Sequence, residues 1–434
     1  MELFLFAIYL IIWIGLTIKR ERREGFYSIF FLFGLCGFAY FMVIPFEMYV
    51  RGEEYYFVQY WIKLGFRERS FILMMGVISL LGFYLGLNLS RYSFLIDKEK
   101  MVHPLSGFNK YRFGWFFRVL SSVIVVSGAT LILYYYDLFT AQWDYTAAYG
   151  ITYASPLYSF IKIHFLISLC LVAALIAYWE RRLIILSLMI VMFVGLVGLL
   201  TSDKGPLLLA MLTGACFLEF RQISFKKFIV ISSIGVLGVI IVVVFFNLLR
   251  TRIPIREVLY STEWKQFSFT TLDPAGPLVS IVFTINDDLP LKYGKTYITS
   301  LGVLVPKVIW PNRPLTLSEE FGQKYIFGWI EGQGVGFSPL AEAYLNFHLA
   351  GPFLHFLAYG LILGSFLRFL RRRVFINQDV IFTIFVYIIF YYAVVMSFRG
   401  PLISFIKISM LFILPYCMFF VLQRFRILSK KWRV

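Results

Sequence analysis

The sequence has few charged residues and few cysteines for its length. Charged side chains make up 15% of the 434 residues and hydrophobic ones 60%, whereas soluble chains carry about 25% charge. This balance excludes soluble globular, disordered and collagen-like proteins. The four cysteines each lie within an apolar run, which excludes a disulfide scaffold. The class that remains is a polytopic membrane protein.

The motifs of common nucleotide and metal enzymes are also missing. The sequence has no Asp-x-Asp pair, no Gly-rich nucleotide loop and no Gly-x-Ser-x-Gly elbow. Its four histidines do not have metal-ligand spacing with Cys, Asp or Glu. We therefore expect no metal and no other cofactor.

Negative charge is scarce, which leaves a formal net charge of +17. Lys and Arg form short clusters between apolar runs, as at Lys19–Arg23 and Arg371–Arg373. This spacing is typical of residues that flank membrane spans, and it argues against a nucleic-acid-binding surface.

Eleven apolar runs approach the length of about 20 residues that a membrane-spanning helix needs. The sequence therefore predicts an all-α polytopic fold with helices 1–8 in residues 1–247, a large outer connection at 248–337, and an outer-edge helix with helices 9–11 in residues 338–434. The runs are Leu3–Ile18, Phe26–Tyr49, Phe71–Ser90, Val119–Tyr136, Phe160–Trp179, Leu183–Thr201, Pro206–Phe220, Phe228–Asn247, Gly351–Leu370, Val380–Ser397 and Pro401–Leu422.

Lys and Arg are concentrated on alternate connections between these runs. The positive-inside rule makes those connections cytoplasmic, so we expect the N-terminus outside and the C-terminus inside. The first run has no basic residue before it, which favours an uncleaved helix over a signal peptide. The 248–337 connection then lies outside, and its mixture of apolar stretches and turn residues predicts a partly helical cap.

Two predicted outer turns share the pattern Ser-x-(Lys/Arg)-Gly-Pro-Leu, at Ser202–Leu207 and Ser397–Leu402. Proline suits the first turn of a helix, and the free N–H groups of a helix start favour anions. Lys204 and Arg399 each precede such a start. One copy would fit equally well a tight turn with a cation that reaches the membrane surface. The repetition favours an anion-binding site.

A third outer helix start follows the glycines at Gly332–Gly336. Ser338 fits the N-cap and Pro339 the first helical position. Ser338, Glu342 and Asn346 recur every four residues, so we expect them to share one helix face directed at a substrate. Glu342 is one position too late for a capping box with Ser338. It is therefore a candidate functional acid, and an ion pair with a nearby cation is the alternative.

Further cations are candidates for the same anion. Lys162 and Lys407 lie in the outer parts of their runs, and Arg250, Arg252 and Arg256 follow the eighth run directly. Arginine can hold a phosphate through two parallel hydrogen bonds. A group of cations on one face suits a diphosphate better than a neutral sugar.

At these residues the chain resembles a known family. Gly334–Phe347 is similar to the Gly-x-Gly-x-Ser-x-x-Ala-Glu-x-Tyr-x-Asn-Phe-Gly signature of Wzy-type O-antigen and oligosaccharide repeat-unit polymerases, with His348 in place of the last glycine. Val305–Pro314, which includes Arg313, resembles their Pro-(Arg/Lys)-x-x-Trp-Pro-x-(Lys/Arg)-Pro segment. The outer Ser-x-(Lys/Arg)-Gly turns also match. The signature segments cover about 40 residues.

The resemblance implies a GT-C-like helical fold and a glycosyltransferase. The enzyme would move a growing glycan from undecaprenyl diphosphate to the non-reducing end of the next lipid-linked repeat unit. The reaction would take place at the outer face of the bacterial inner membrane, with a repeat-unit flippase and a chain-length regulator as partners.

This reaction gives the candidate residues separate roles. Arg399, Lys204, Arg313 and the other outer cations would hold the diphosphate and stabilise the leaving group. Glu342 is the first candidate for the base that activates the acceptor hydroxyl, and Asp273 and Glu331 are the alternatives.

Two other functions stay open. An O-antigen ligase uses the same donor but passes the glycan to the lipid A core, and such enzymes commonly have an outward catalytic histidine, for which His348 is the candidate. A flippase or exporter of lipid-linked sugars should carry charges deep in its spans and two matched halves. Here the charges within the runs lie near the outer ends, which favours the polymerase.

Overall fold

The computed structural model describes residues 1–24, 29–42, 64–90, 120–133, 156–179, 189–194, 275–287, 289–302, 305, 310–325, 336–377, 380–406 and 409. This part of the chain is helical and contains no strand. Its main helices are α1 Glu2–Glu24, α2 Ile29–Gly37, α3 Phe66–Leu89, α4 Leu120–Leu133, α5 Pro156–Trp179, α6 Ala275–Asn286, α7 Lys295–Gly302, α8 Leu317–Tyr325, α9 Pro339–Phe347, α10 Gly351–Asn377 and α11 Val380–Ser397. A π-helical turn, Phe38–Met42, follows α2, and a 3₁₀ turn, His348–Ala350, joins α9 to α10.

The all-helical class is confirmed for the described residues. Helical residues occur in nine of the eleven runs, while Pro206–Phe220 and Phe228–Asn247 lie outside the described residues. Among the described helices, three are long and apolar enough to cross a membrane: Glu2–Lys19, Phe66–Leu89 and Pro339–Arg368. These helices indicate association with a membrane.

The helices α3 and α10 form the most extensive helix contact of the described bundle. Glycines spaced four residues apart line it on both sides. A Cβ atom at Gly82 would lie 2.6 Å from the carbonyl oxygen of Phe353, and one at Gly86 would overlap the carbonyl oxygen of Leu357. Such small-residue stripes let two membrane helices approach until their backbones touch, which maximises van der Waals contact. The pairing also makes α3 and α10 run parallel.

Contacts between α10 and α11 show that these two helices run in opposite directions. The hydroxyl of Tyr359 lies 2.9 Å from Oγ of Ser397. One to two turns later in α10, Phe366 packs against Phe390, with ring centroids 5.0 Å apart. The C-terminal end of α11 therefore meets the first turns of α10, which places the Ser397–Leu402 turn beside the start of α10.

A cluster of aromatic side chains packs against the Ser397–Leu402 turn. Phe33 of α2 stacks on Phe83 of α3 with a centroid distance of 3.7 Å. The same ring contacts Phe356 of α10 at 5.3 Å and Phe398 at 5.0 Å. All four rings are fully buried or nearly so. Each aromatic pair contributes about 0.5–1.5 kcal/mol to stability beyond the effect of its buried area. Because Phe398 directly precedes Arg399, this core anchors the turn that carries the arginine.

Of the described helices, α6, α7 and α8 lie within the 248–337 connection. Phe283 of α6 contacts Tyr325 of α8, with centroids 4.5 Å apart. The Tyr325 hydroxyl donates to Asp287, and Lys324 lies 3.5 Å from the same carboxylate. Partial burial raises the pKa of Tyr325, and the neighbouring Asp287 raises it further, so the phenol keeps its proton and remains a donor. These contacts fix α8 on α6, which in turn contacts α9.

Candidate functional site

The start of α9 has the geometry that its sequence predicts. Ser338 is the N-cap, with an extended backbone, and its hydroxyl accepts a hydrogen bond of 3.2 Å from the N–H of Leu340. Pro339 occupies the first turn of the helix. The backbone N–H of Ser338 donates to Oγ of Ser280 at 2.8 Å. The cap prediction is confirmed, and a second contact ties the cap to α6.

The predicted shared face of α9 is also present, but it is turned inward. Ser338, Glu342 and Asn346 have no exposed surface. All three side chains are hydrogen-bonded, as buried polar groups require, and those of Glu342 and Asn346 bond to other segments. The face therefore joins α9 to the rest of the site in the described structure.

Glu342 connects α9 to two other segments. Its Oε1 accepts a hydrogen bond of 3.1 Å from the hydroxyl of Thr296, and its Oε2 accepts one of 2.7 Å from the N–H of Leu402. Leu402 is the first residue of the helical segment after Gly400-Pro401. A carboxylate is a favourable acceptor at a helix start, where N–H groups have no partner in their own helix. Glu342 thus caps a helix 60 residues later in the chain, and both partners of its oxygens are neutral donors.

Asn346 completes this connection by using both ends of its amide. The Nδ2 atom donates to the hydroxyl of Thr296 at 2.6 Å and to the carbonyl of Glu342 at 2.8 Å. The Oδ1 atom accepts from the N–H of Gly294 at 2.8 Å. Gly294 has φ +81°, a left-handed conformation that glycine adopts without strain. The amide therefore holds the start of α7 against α9.

The turn that carries Arg399 lies directly beside the start of α9. The N–H of Phe337 donates to the carbonyl oxygen of Arg399 at 3.1 Å. A Cβ atom at Gly336 would lie 3.2 Å from that oxygen and 2.9 Å from Cδ of Pro277, so this close approach needs a glycine. The guanidinium-bearing side chain of Arg399 is partly exposed. Two helix starts that the sequence identifies separately, at Ser338 and at Pro401, therefore form one cluster.

Two of the remaining predicted cations, Arg313 and Lys162, lie within the described residues. The guanidinium of Arg313 donates to the carbonyl of Val305 at 3.3 Å, beyond the end of α7. Lys162 is buried in α5, which packs against α11. The predicted site residues Lys204, Arg250, Arg252 and Lys407, the neighbouring Arg256, and the alternative acids Asp273 and Glu331, lie outside the described residues.

The structure adds two residues to which the sequence assigns no role. The hydroxyl of Tyr297, in α7, lies 2.8 Å from Nδ1 of His355, in the second turn of α10. Burial raises the pKa of Tyr297 well above its ordinary value, the nearby Glu342 raises it further, and contact with Asn346 lowers it. The local pattern around His355 is that of an ordinary apolar helix, so only the fold brings this pair together.

His348 occupies the position at which the polymerase signature has its last glycine. The residue has φ 50° and ψ −132°, a backbone conformation that favours glycine. Its Nε2 lies 2.9 Å from the hydroxyl of Tyr344, one turn earlier. The turn therefore keeps a conformation suited to glycine even though histidine occupies it.

Within the described residues, no group of three or more His, Cys, Asp or Glu side chains has the arrangement of a metal site. The chemistry available in the cluster is instead that of a cation, Arg399, and of hydrogen-bonding side chains. The chain matches no family model, no curated protein and no solved structure.

Proposed function

We propose that this protein is a membrane glycosyltransferase that polymerises undecaprenyl-diphosphate-linked oligosaccharide repeat units. The observation that carries the proposal is the contact between the Gly-x-Ser-x-x-Ala-Glu-x-Tyr-x-Asn segment and the Arg399-Gly-Pro turn. Two hydrogen bonds join them, Phe337 N–H to the Arg399 carbonyl at 3.1 Å and Leu402 N–H to Glu342 at 2.7 Å. Two of the motifs on which the family resemblance depends thus contact each other.

Arg399 is the residue that binds the diphosphate in this proposal. When the bond between the anomeric carbon and the phosphate oxygen breaks, negative charge develops on the departing lipid diphosphate. A guanidinium held at that position stabilises the charge, and it can contact two phosphate oxygens at once. The helix start after Pro401 contributes less than the sequence suggests, since its Leu402 N–H is already bonded to Glu342.

Glu342 supports this arrangement from inside the protein. It has no exposed surface and both of its oxygens accept hydrogen bonds, so the geometry favours a residue that positions the Arg399 turn. The alternative role as general base stays a prediction. A base must reach the acceptor hydroxyl, at about 2.6–3.2 Å or through one water, and Glu342 would need to leave its present partners to do so.

The finer topology belongs to the same proposal. Eleven crossings, a GT-C-like arrangement, an outer N-terminus and a cytoplasmic C-terminus would place the Arg399 turn at the periplasmic face of the bacterial inner membrane. The directions of α3, α10 and α11 agree with this order of spans. The substrate would be a lipid-linked oligosaccharide, and a flippase and a chain-length regulator would be the protein partners.

The proposal is tested by the size distribution of undecaprenyl-diphosphate-linked glycans in a strain without this gene. The expected result is collapse to single repeat units that still reach the outer leaflet. Long chains that accumulate on the lipid would instead indicate a ligase. Single units that stay on the cytoplasmic leaflet would indicate a transporter, and either result would refute the polymerase.

A further inference from the structure

We infer that His355 is a further substrate-binding residue, which donates a hydrogen bond from Nε2 to a phosphate oxygen of the lipid diphosphate. The inference rests on the proposed function, because it assigns a residue to the same substrate. It adds a neutral donor on α10 to the cation on the Arg399 turn.

The orientation of the imidazole follows from its contact with Tyr297. The phenol hydroxyl lies 2.8 Å from Nδ1 of His355. Because the pKa of Tyr297 is raised by burial, the phenol is protonated and has one hydrogen to donate. We assign this hydrogen to the bond with Nδ1, so that in neutral histidine the ring hydrogen is on Nε2.

Tyr359 connects the His355 ring to the arginine turn. The His355 and Tyr359 rings have centroids 6.4 Å apart. The Tyr359 hydroxyl is 2.9 Å from Oγ of Ser397, two residues before Arg399. The side chain of His355 is partly exposed, and within the described chain its Nε2 has no hydrogen-bond partner. An N–H group fixed in direction and open on one side is a ready donor to a ligand.

The surroundings of His355 fit a ligand with a charged head and an apolar tail. Further along α10, away from the arginine turn, Leu361 and Ile362 are exposed. This helix belongs to a segment long and apolar enough to cross a membrane. A polyprenyl chain can lie against such a surface while the diphosphate stays at the level of His355 and Arg399. A neutral donor suits this position because it binds phosphate without a second charge in apolar surroundings.

The test uses two substitutions that each keep one half of the imidazole. The amide nitrogen of Gln lies near the position of Nε2, and that of Asn near Nδ1. Purified full-length protein in detergent is titrated with undecaprenyl diphosphate, and Kd is measured, a readout that does not depend on catalysis. We expect His355→Gln to bind within about threefold of the wild type. Because a hydrogen bond to a charged group contributes about 1.5–3 kcal/mol, His355→Asn should bind about 10- to 100-fold more weakly.

His348 and Tyr344 supply the matched control, as a second Tyr–His pair at the same end of α10. His348→Asn and Tyr344→Phe are expected to leave Kd unchanged, whereas Tyr297→Phe should weaken binding because it frees the imidazole to change tautomer. Retained binding by His355→Gln shows that the fold survives a change at this position.

Two results would overturn the inference: equal Kd values for wild type, His355→Gln and His355→Asn, or an equal loss in both variants. Failure of the proposed function is seen separately, in wild-type protein that does not bind undecaprenyl diphosphate and does not extend lipid-linked repeat units.

Discussion

Replacing Glu342 by glutamine separates a positioning role from an acid–base role. In the structure the carboxylate accepts from Leu402 N–H and from the Thr296 hydroxyl. Glutamine can keep its oxygen on Leu402 and donate to the Thr296 oxygen, since a hydroxyl can also accept. The loss is then one charge-assisted bond, about 1–2 kcal/mol. Alanine leaves one buried and one partly buried donor without an acceptor, at about 1–3 kcal/mol each, so it should cost about 2–6 kcal/mol in total.

The assay measures chain extension by purified protein in liposomes, together with thermal unfolding in detergent. We expect Glu342→Gln to keep activity within about 30-fold of the wild type, as a loss of about 1–2 kcal/mol implies. Glu342→Ala should unfold at a clearly lower temperature and lose most activity. General bases contribute about 10²–10⁴-fold to rate. A folded Glu342→Gln protein with a rate reduced by that factor would refute the positioning role and restore Glu342 as the base.

Three further predictions concern the turn, the helix pair and the strained residue. Arg399→Ala should lower the rate of chain extension by about 10²–10³-fold at normal protein levels, with partial activity in Arg399→Lys, and full activity in the alanine variant would remove this residue from the diphosphate site. Gly86→Ala should destabilise the protein by about 1–3 kcal/mol, seen as a lower unfolding temperature, because the new Cβ would overlap the carbonyl of Leu357. The control Gly15→Ala, whose new Cβ has no atom within 4 Å, should have little effect. Equal shifts in unfolding temperature would contradict the close contact at Gly86. The free energy of unfolding of His348→Gly should lie within about 1 kcal/mol of the wild-type value. His348→Val should lower that free energy by about 1–3 kcal/mol, because a β-branched residue is strained at φ 50°. Equal stability of the two variants would show that this backbone is not strained.

The features that could be predicted from sequence are those encoded locally. The helix Val380–Ser397 begins and ends where the apolar run does. Ser338 caps α9 because a serine followed by proline supplies both an acceptor and a suitable first residue within two positions. Hydrophobic length and turn chemistry are properties of neighbouring residues, so the sequence displays them directly.

The connections within the site could not be predicted in the same way. Glu342 and Leu402 are 60 residues apart, and Tyr297 and His355 are 58 apart. Such contacts depend on how helices are placed in three dimensions, which a local pattern does not specify. The sequence therefore identified Glu342 as unusual, since its own helix did not explain it, but the acceptor role at a distant helix start became visible only in the fold.

The glycines of the α3–α10 contact could be predicted from the sequence only in part. The spacing of Gly82 and Gly86, and of Gly360 and Gly364, is visible in the sequence and is typical of tightly packed membrane helices. Each stripe shows that its helix can be approached closely. Neither stripe specifies its partner, because any helix with a matching surface would satisfy the same packing requirement.

The central claim is tested most directly by reconstitution of the purified protein in liposomes that contain lipid-linked repeat units. The account predicts a ladder of chains longer than one unit, with one undecaprenyl diphosphate released for each linkage formed, and loss of both products in Arg399→Ala. Repeat units that remain single in the presence of folded wild-type protein, or a ladder unchanged by Arg399→Ala, would contradict it.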